Sequence, residues 1–353
     1  MKQRTKIAPV LVPAVLVSIF LLFTNCRMQQ NEKGRSAVQS SSPSNGSDPM
    51  SVHRRAIAID MHADTTQRLV DEEVDLGQRL PDGHLDSVRM KEGGLDAQFF
   101  SIWVEPQLYG LTGDGATKRA DAQIAAVRAL TEKYPETWEL ATSSADIRRI
   151  VGNGKLAALM GLEGGYAIDD KIENVERYYK MGVRYMSGAW SVSTSWAGSS
   201  GDEVGQNRGL TDFGKEVISE MNRLGMMIDV SHLSDKAFWD VINTSTKPII
   251  ATHSNVKAIA NVSRNLDDEM IRAMAKKGGV VCVLFYPEFL EPGWSEKKKK
   301  VDAEIAPLVQ RRPTVRKAAP LAKKWLAIAC VWKSTDVACL PSLSRGSLTT
   351  LII

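Results

Sequence analysis

The chain has 353 residues, 43% hydrophobic and 24% charged, which is ordinary for a globular protein and long enough to bury a full core. Its formal net charge of +4 is uneven, because residues 311–353 hold Arg311, Arg312, Arg316, Lys317, Lys323, Lys324, Lys333 and Arg345 against one acid, Asp336. No aromatic residues interleave a basic stripe, which argues against nucleic acid as a partner, and four cysteines without a C-x-x-C pair are too few for a disulfide framework.

At the N-terminus, Lys2, Arg4 and Lys6 precede an apolar run over residues 7–23. Pro9 and Pro13 interrupt that run, so residues 1–26 read as an export signal rather than a spanning helix. The run ends in Leu22-Phe23-Thr24-Asn25-Cys26, which resembles a bacterial lipoprotein box, although Asn25 departs from the small residue usual before the cysteine. A lipid on Cys26 would anchor the protein to a membrane of the bacterial cell envelope, facing the periplasm or the surface. Ordinary secretion is the alternative. Residues 27–51, rich in Ser, Gln, Asn and Gly, read as a flexible tether.

From residue 52 strand-like and helix-like segments alternate, the pattern of a parallel α/β fold. The first apolar run, 56–59, leads to His62 and Asp64, which period-two alternation would project together. Residues 98–104 (QFFSIWV) form the second strand. A helix follows over 117–134, with Ala122, Ala125, Ala126 and Ala129 on shared faces. Residues 156–162 (LAALMGL) form the third strand and end at Glu163. Residues 170–181 are helical and stop at Gly182. The fourth strand starts at 183–186 and runs towards Trp190. Residues 211–224 are helical, with Thr211 as N-cap and Gly225 as stop. Residues 226–230 (MMIDV) form the fifth strand, ending at Ser231-His232. Residues 234–243 are helical. Residues 248–252 (PIIAT) form the sixth strand, ending at His253. Residues 265–277 are helical, with Asp267 and Asp268 in the first turn. Residues 279–285 form the seventh strand, with Cys282 as a buried thiol.

About seven β/α units are therefore expected over residues 52–310, one short of a TIM-type (β/α)8 barrel. No eighth strand is expected in the atypical basic tail, 311–353. Strand ends of a parallel barrel open on one face, where barrel enzymes place their active sites. His62, Asp64, Glu163, His232 and His253 would meet there. Three imidazoles and two carboxylates suit zinc or a similar divalent ion. Five ligands exceed one tetrahedral site, and a carboxylate can bridge two ions about 3.5–4 Å apart, so the set fits a two-metal site. His53 and His84 read as exposed or structural, and Lys297, Lys298, Lys299 and Lys300 as a solvated charge run.

The stretches AIDMHADT, HLDSVRMKEGGLDAQFFSIWV, MGLEGG, GLTDFGKEVISEMNRLGMMIDVSH, PIIATHSN and VSRNLDDEMI resemble the membrane (renal) dipeptidase family of metallopeptidases, in family order. The resemblance covers residues 52–290 and implies a (β/α)8 barrel with two zinc ions. On this resemblance His62, Asp64 and the bridging Glu163 would hold one ion, and Glu163, His232 and His253 the other. Glu163 would thus belong to the catalytic machinery. Arg264 would grip the terminal carboxylate of a dipeptide substrate, as a guanidinium fork suits. A D-residue would be tolerated on that side, and a homodimer is a further implication.

Two positions depart from the family. Trp190 stands where the family has a substrate-contacting histidine, and an indole N–H can donate but cannot become a cation. The family's eighth strand ends in a Gly-Ser-Asp-Phe-Asp-Gly-like motif whose first Asp handles protons, and this sequence has no such motif. A frameshift or truncation near Gln310 is the expected cause, with a genuine basic extension as the alternative. Activity is accordingly doubtful from sequence. Other metal hydrolases on the same barrel often use a bridging lysine, and Glu163 in that place argues against them. The rival from another class is an inactive fragment or a non-catalytic metal- or peptide-binding protein.

Overall fold

The computed structural model describes residues 48–310 and 351–352. They belong to one unit, Ser47–Ile353. The expected export signal, most of the tether and nearly all of the basic tail lie outside the described residues. Among those described, no helix is long and apolar enough to cross a membrane.

Seven parallel strands carry the fold, each paired with the next: β1 (Ile59–Ala63), β2 (Ala97–Trp103), β4 (Leu156–Glu163), β5 (Val183–Ser187), β6 (Met227–Asp229), β7 (Ile249–Ala251) and β8 (Val280–Val283). They form a nearly closed TIM-type barrel. The short β3 (Trp138–Leu140) pairs with the first half of β4, whose second half pairs with β5. Among the described residues no strand pairs with the outer edge of β1. A two-residue β9 (Leu351–Ile352), not expected from the sequence, pairs antiparallel with β8.

The central strands are apolar on both faces because both faces are covered. In β2 and β4, Phe100, Ile102, Ala158, Met160 and Leu162 join the core towards the helices. The alternating Ala97, Phe99, Ala157 and Leu159 join a second core with Tyr185, Ile250 and Cys282.

The helices are α1 (Pro49–Arg55), α2 (Thr66–Asp71), α3 (Ser87–Gly93), α4 (Pro106–Tyr109), α5 (Asp114–Lys133), α6 (Ser144–Gly152), α7 (Glu173–Lys180), α8 (Asp212–Leu224), α9 (Asp235–Thr244), α10 (Asp268–Lys276), α11 (Pro287–Leu290) and α12 (Trp294–Gln310). Thr211, Ser234 and Asp267 cap α8, α9 and α10 by accepting the N–H three residues on, satisfying an otherwise orphaned donor.

Several boundaries correct the sequence reading. Helix α1 starts inside the expected tether, with Asp48 accepting the Ser51 N–H. Strand β1 begins at Ile59 rather than 56, because Ala56 closes α1. Helix α7 begins at Glu173 rather than 170, since Asp169 and Asp170 both have positive φ (54° and 50°) and cannot continue a right-handed helix. Helix α10 begins at Asp268 rather than 265, because the Asn265 amide serves the carbonyls of Ala260 and Phe289. His84 is exposed, while His53 is half-buried and its Nε2 meets the Gly93 carbonyl at 2.7 Å.

Candidate metal centre

Each histidine arrives by its own local device. In β1 the register with β2 slips between Asp60 and Ala63, a bulge that re-aims a side chain. The bulge is closed by the His62 N–H donating to Asp60 Oδ1 at 3.0 Å. Simple alternation therefore does not describe how His62 is presented. After β6, Ser231 N–H donates to Asp229 Oδ1 at 3.0 Å, and His232 follows with φ of 72°. A left-handed conformation in a non-glycine residue costs on the order of 1–3 kcal/mol and persists only where surroundings impose it. His253 lies two residues beyond β7, after Thr252.

The three imidazoles converge on one carboxylate. Glu163 Oε2 is 3.2 Å from His62 Nε2, and Oε1 is 2.9 Å from His232 Nε2 and 3.4 Å from His253 Nε2. Ser101 Oγ donates to Oε2 at 3.0 Å. The rings of His62 and His253 stack at 3.9 Å, and the Nε2 atoms of His232 and His253 are 2.9 Å apart. Asp64 stands at the rim, its Oδ1 3.7 Å from His62 Nε2 and its side chain 47% exposed.

Charge and burial compete here. Burial pushes Glu163 up, but the three histidines, His62 foremost, hold its carboxyl well below the ordinary value. Burial pulls His62 down, yet Glu163, Tyr185 and Asp64 together outweigh it and hold that imidazole well above the ordinary value. His232 is pushed well below by burial and then by the charge of Arg264. His253 is lowered by burial and then by His62. Opposed shifts within one cluster are a mark of functional sites.

Arg264 and Trp190 border this cluster. The half-buried Arg264 donates from a terminal nitrogen to the His253 carbonyl at 3.1 Å, and its guanidinium lies 5.2 Å from the Phe289 ring. Burial brings it down to about 10, against the pull of Glu163 and Asp229. Trp190 lies 6.3 Å from the His232 ring and packs edge-on against Trp103 at 4.8 Å. An aromatic pair thus walls the side where the family resemblance leads one to expect an imidazole.

The supporting residues Tyr185, Asp229, Thr252 and Ser101 escaped the sequence reading. For Ser101 and Asp229 the signal was a polar residue in an otherwise largely apolar strand. Tyr185 Oη meets His62 Nδ1 at 3.0 Å. Its ring lies against Gly161, where an added Cβ would fall inside the ring. Gly161→Ala is expected to lower stability by about 1–3 kcal/mol through overpacking, read as a drop in melting temperature. An unchanged melting curve would contradict this packing.

The donor set fits a divalent metal. The ligand atoms of His62, Glu163 and His253 all lie within 4.8 Å of one another. Two basic nitrogens at 2.9 Å, beside a carboxylate, need a proton or a cation between them. Nitrogen and oxygen donors of this kind suit zinc and its neighbours.

A parallel α/β barrel with imidazoles and a carboxylate gathered at its strand ends defines a class, the barrels with a metal-binding mouth. The family model described as membrane dipeptidase (peptidase family M19) matches residues 48–323, and the chain belongs to that family. It is 33% identical over 229 residues to an uncharacterised dipeptidase of Schizosaccharomyces pombe, an alignment that takes in 62% of this chain and 55% of that protein. The chain therefore spans about half the length of this curated relative. A metallopeptidase from Rhodobacter sphaeroides, crystallised with a phosphinate mimic of the dipeptide L-Ala-D-Ala, superposes with a TM-score of 0.60 at 27% identity, covering 71% of this chain and 82% of that one. A probable dipeptidase from Pseudomonas aeruginosa shares the fold, with a TM-score of 0.63 at 23% identity over 80% and 76% of the two chains.

Proposed function

We propose that this chain carries the site of a metal-dependent dipeptidase, with two zinc ions sharing Glu163. The observation that carries the reading is one buried carboxylate touched by imidazoles from three separate strand ends. His62 and Asp64 would hold one ion, and His232 and His253 the other. Bound there, the cations would supply a water of lowered pKa and a Lewis acid for the scissile carbonyl. Arg264 binds the free carboxylate of the dipeptide and sets the register of the peptide over the cluster. Trp190, packed on Trp103, excludes water from the side of His232. A C-terminal D-residue fits this reading, supported by the dipeptide mimic held by the Rhodobacter relative.

Around the site we propose an envelope protein anchored through Cys26, or a secreted one, able to form a homodimer. The second reading is a non-catalytic metal- or peptide-binding protein. It is favoured by the lack in the sequence of the acidic eighth-strand motif.

The deciding experiment is hydrolysis of L-Ala-D-Ala by the zinc-loaded full chain beside a His232→Ala control. Turnover well above the control supports the dipeptidase. Equal rates with intact zinc binding favour the non-catalytic reading. In an active chain, Arg264→Ala is expected to raise KM about 10–100-fold with a smaller change in kcat, since a charge-assisted contact contributes roughly 1.5–3 kcal/mol. An unchanged KM would remove Arg264 from substrate binding.

A further inference from the structure

Asp229, at the end of β6, is fully buried. Its Oδ1 accepts the backbone N–H groups of Ser231 and Thr252, both at 3.0 Å, and its Oδ2 accepts the Thr252 hydroxyl at 2.6 Å. A hydroxyl has one proton, and a carboxylate can only accept. The Thr252 proton is therefore committed to Asp229. The same Thr252 Oγ1 lies 2.8 Å from His253 Nδ1. With no proton left on the oxygen for that contact, Nδ1 must be the donor. In a neutral imidazole this leaves the lone pair on Nε2, the atom that faces Glu163 and His232.

We infer that Thr252, backed by Asp229, is a positioning residue that fixes the Nδ1–H tautomer of His253 and presents Nε2 as a preformed ligand for a divalent cation. The partner of a ligating imidazole's other nitrogen commonly sets tautomer and ring orientation in this way.

His232 is prepared differently. Its Nδ1 has no hydrogen-bond partner among the described residues. Its Nε2 faces two acceptors, Glu163 Oε1 and His253 Nε2, each at 2.9 Å. In the metal-free chain the His232 proton sits on Nε2, and it must move to Nδ1 before that nitrogen can ligate. One histidine of the centre is open from the start, and its neighbour switches tautomer on binding.

The test uses the 15N-labelled full chain, first metal-free and then with zinc. Long-range proton–nitrogen spectra report which ring nitrogen carries the proton. The expected result is Nδ1–H on His253 in both states, and a change from Nε2–H to Nδ1–H on His232. Zinc affinity, measured by competition with a chromogenic chelator, is expected to fall about 10–100-fold in Thr252→Val and to recover in Thr252→Ser. A purely structural hydroxyl would not move the tautomer.

Nε2–H on His253 in the wild-type chain would overturn the inference, as would a folded Thr252→Val with unchanged affinity. If Thr252→Val fails to fold, the wild-type tautomer still decides. The affinity arm rests on the metal-site reading above and the tautomer arm does not. A wild-type chain that binds no zinc therefore counts against that reading, and the His253 tautomer judges this inference separately.

Discussion

Glu163→Gln is expected to remove zinc from the full chain, lowering affinity by more than the ~10–100-fold that loss of an outer partner costs. Glutamine keeps the size of the side chain but offers one oxygen where Glu163 offers two, and no charge. Both oxygens are in use: Oε2 faces His62 and Ser101, and Oε1 faces His232 and His253. The three imidazoles would then converge on an amide. The metal-free variant is also expected to lose about 3 kcal/mol of stability, the lower end for breaking a buried charge pair. Metal analysis of the purified variant and thermal melting check the two parts. A variant retaining wild-type zinc content would show that Glu163 does not organise the centre.

Zinc affinity is expected to rise by up to about tenfold per pH unit from pH 6.5 up to the raised His62 value, because metal must displace the His62 proton. The signs follow from the two opposed shifts. His62 is raised well above 6.5 in the folded chain, so its contribution to metal-free stability is full below 6.5 and lost as pH rises through the raised value. Glu163 is lowered well below 4.5, so its contribution is full above 4.5 and lost as pH falls through the lowered value. The metal-free pair is thus intact in the window above 4.5 and up to the raised His62 value. Within that window zinc binding should release a proton, measurable by calorimetry in buffers of different ionisation enthalpy. His232 and His253 are lowered and add little to this dependence above 6.5. An affinity that is flat across this pH range would remove the His62–Glu163 charge pair from the account.

Much of the barrel was legible because burial on both faces writes itself into composition. QFFSIWV and LAALMGL are largely apolar runs, and they form β2 and β4 almost residue for residue. Thr211 and Gly225 punctuate α8 as their chemistry requires, the first as a side-chain acceptor and the second at φ of 78°. What escaped was short or irregular. Strand β3 is three residues long, below any periodic signal. The start of α7 depends on two aspartates in the left-handed region, where local patterns of polarity say nothing.

The candidate site divides in the same way. His62, Glu163, His232 and His253 could be picked out as polar residues ending apolar runs, since that placement is local to each strand. Their mutual distances were not local. They depend on a bulge in β1, a left-handed His232 and the closing of strands distant in the chain around a common mouth. The hydrogen-bond partners of the imidazoles were further out of reach. Tyr185 meets His62 across 123 residues and Asp229 meets Thr252 across 23. Backbone preference and hydrophobic pattern act over a few residues and so declare themselves in sequence. The direction of a lone pair and the charge of a buried group depend on whatever packing brings alongside, and only the folded barrel supplies that neighbour.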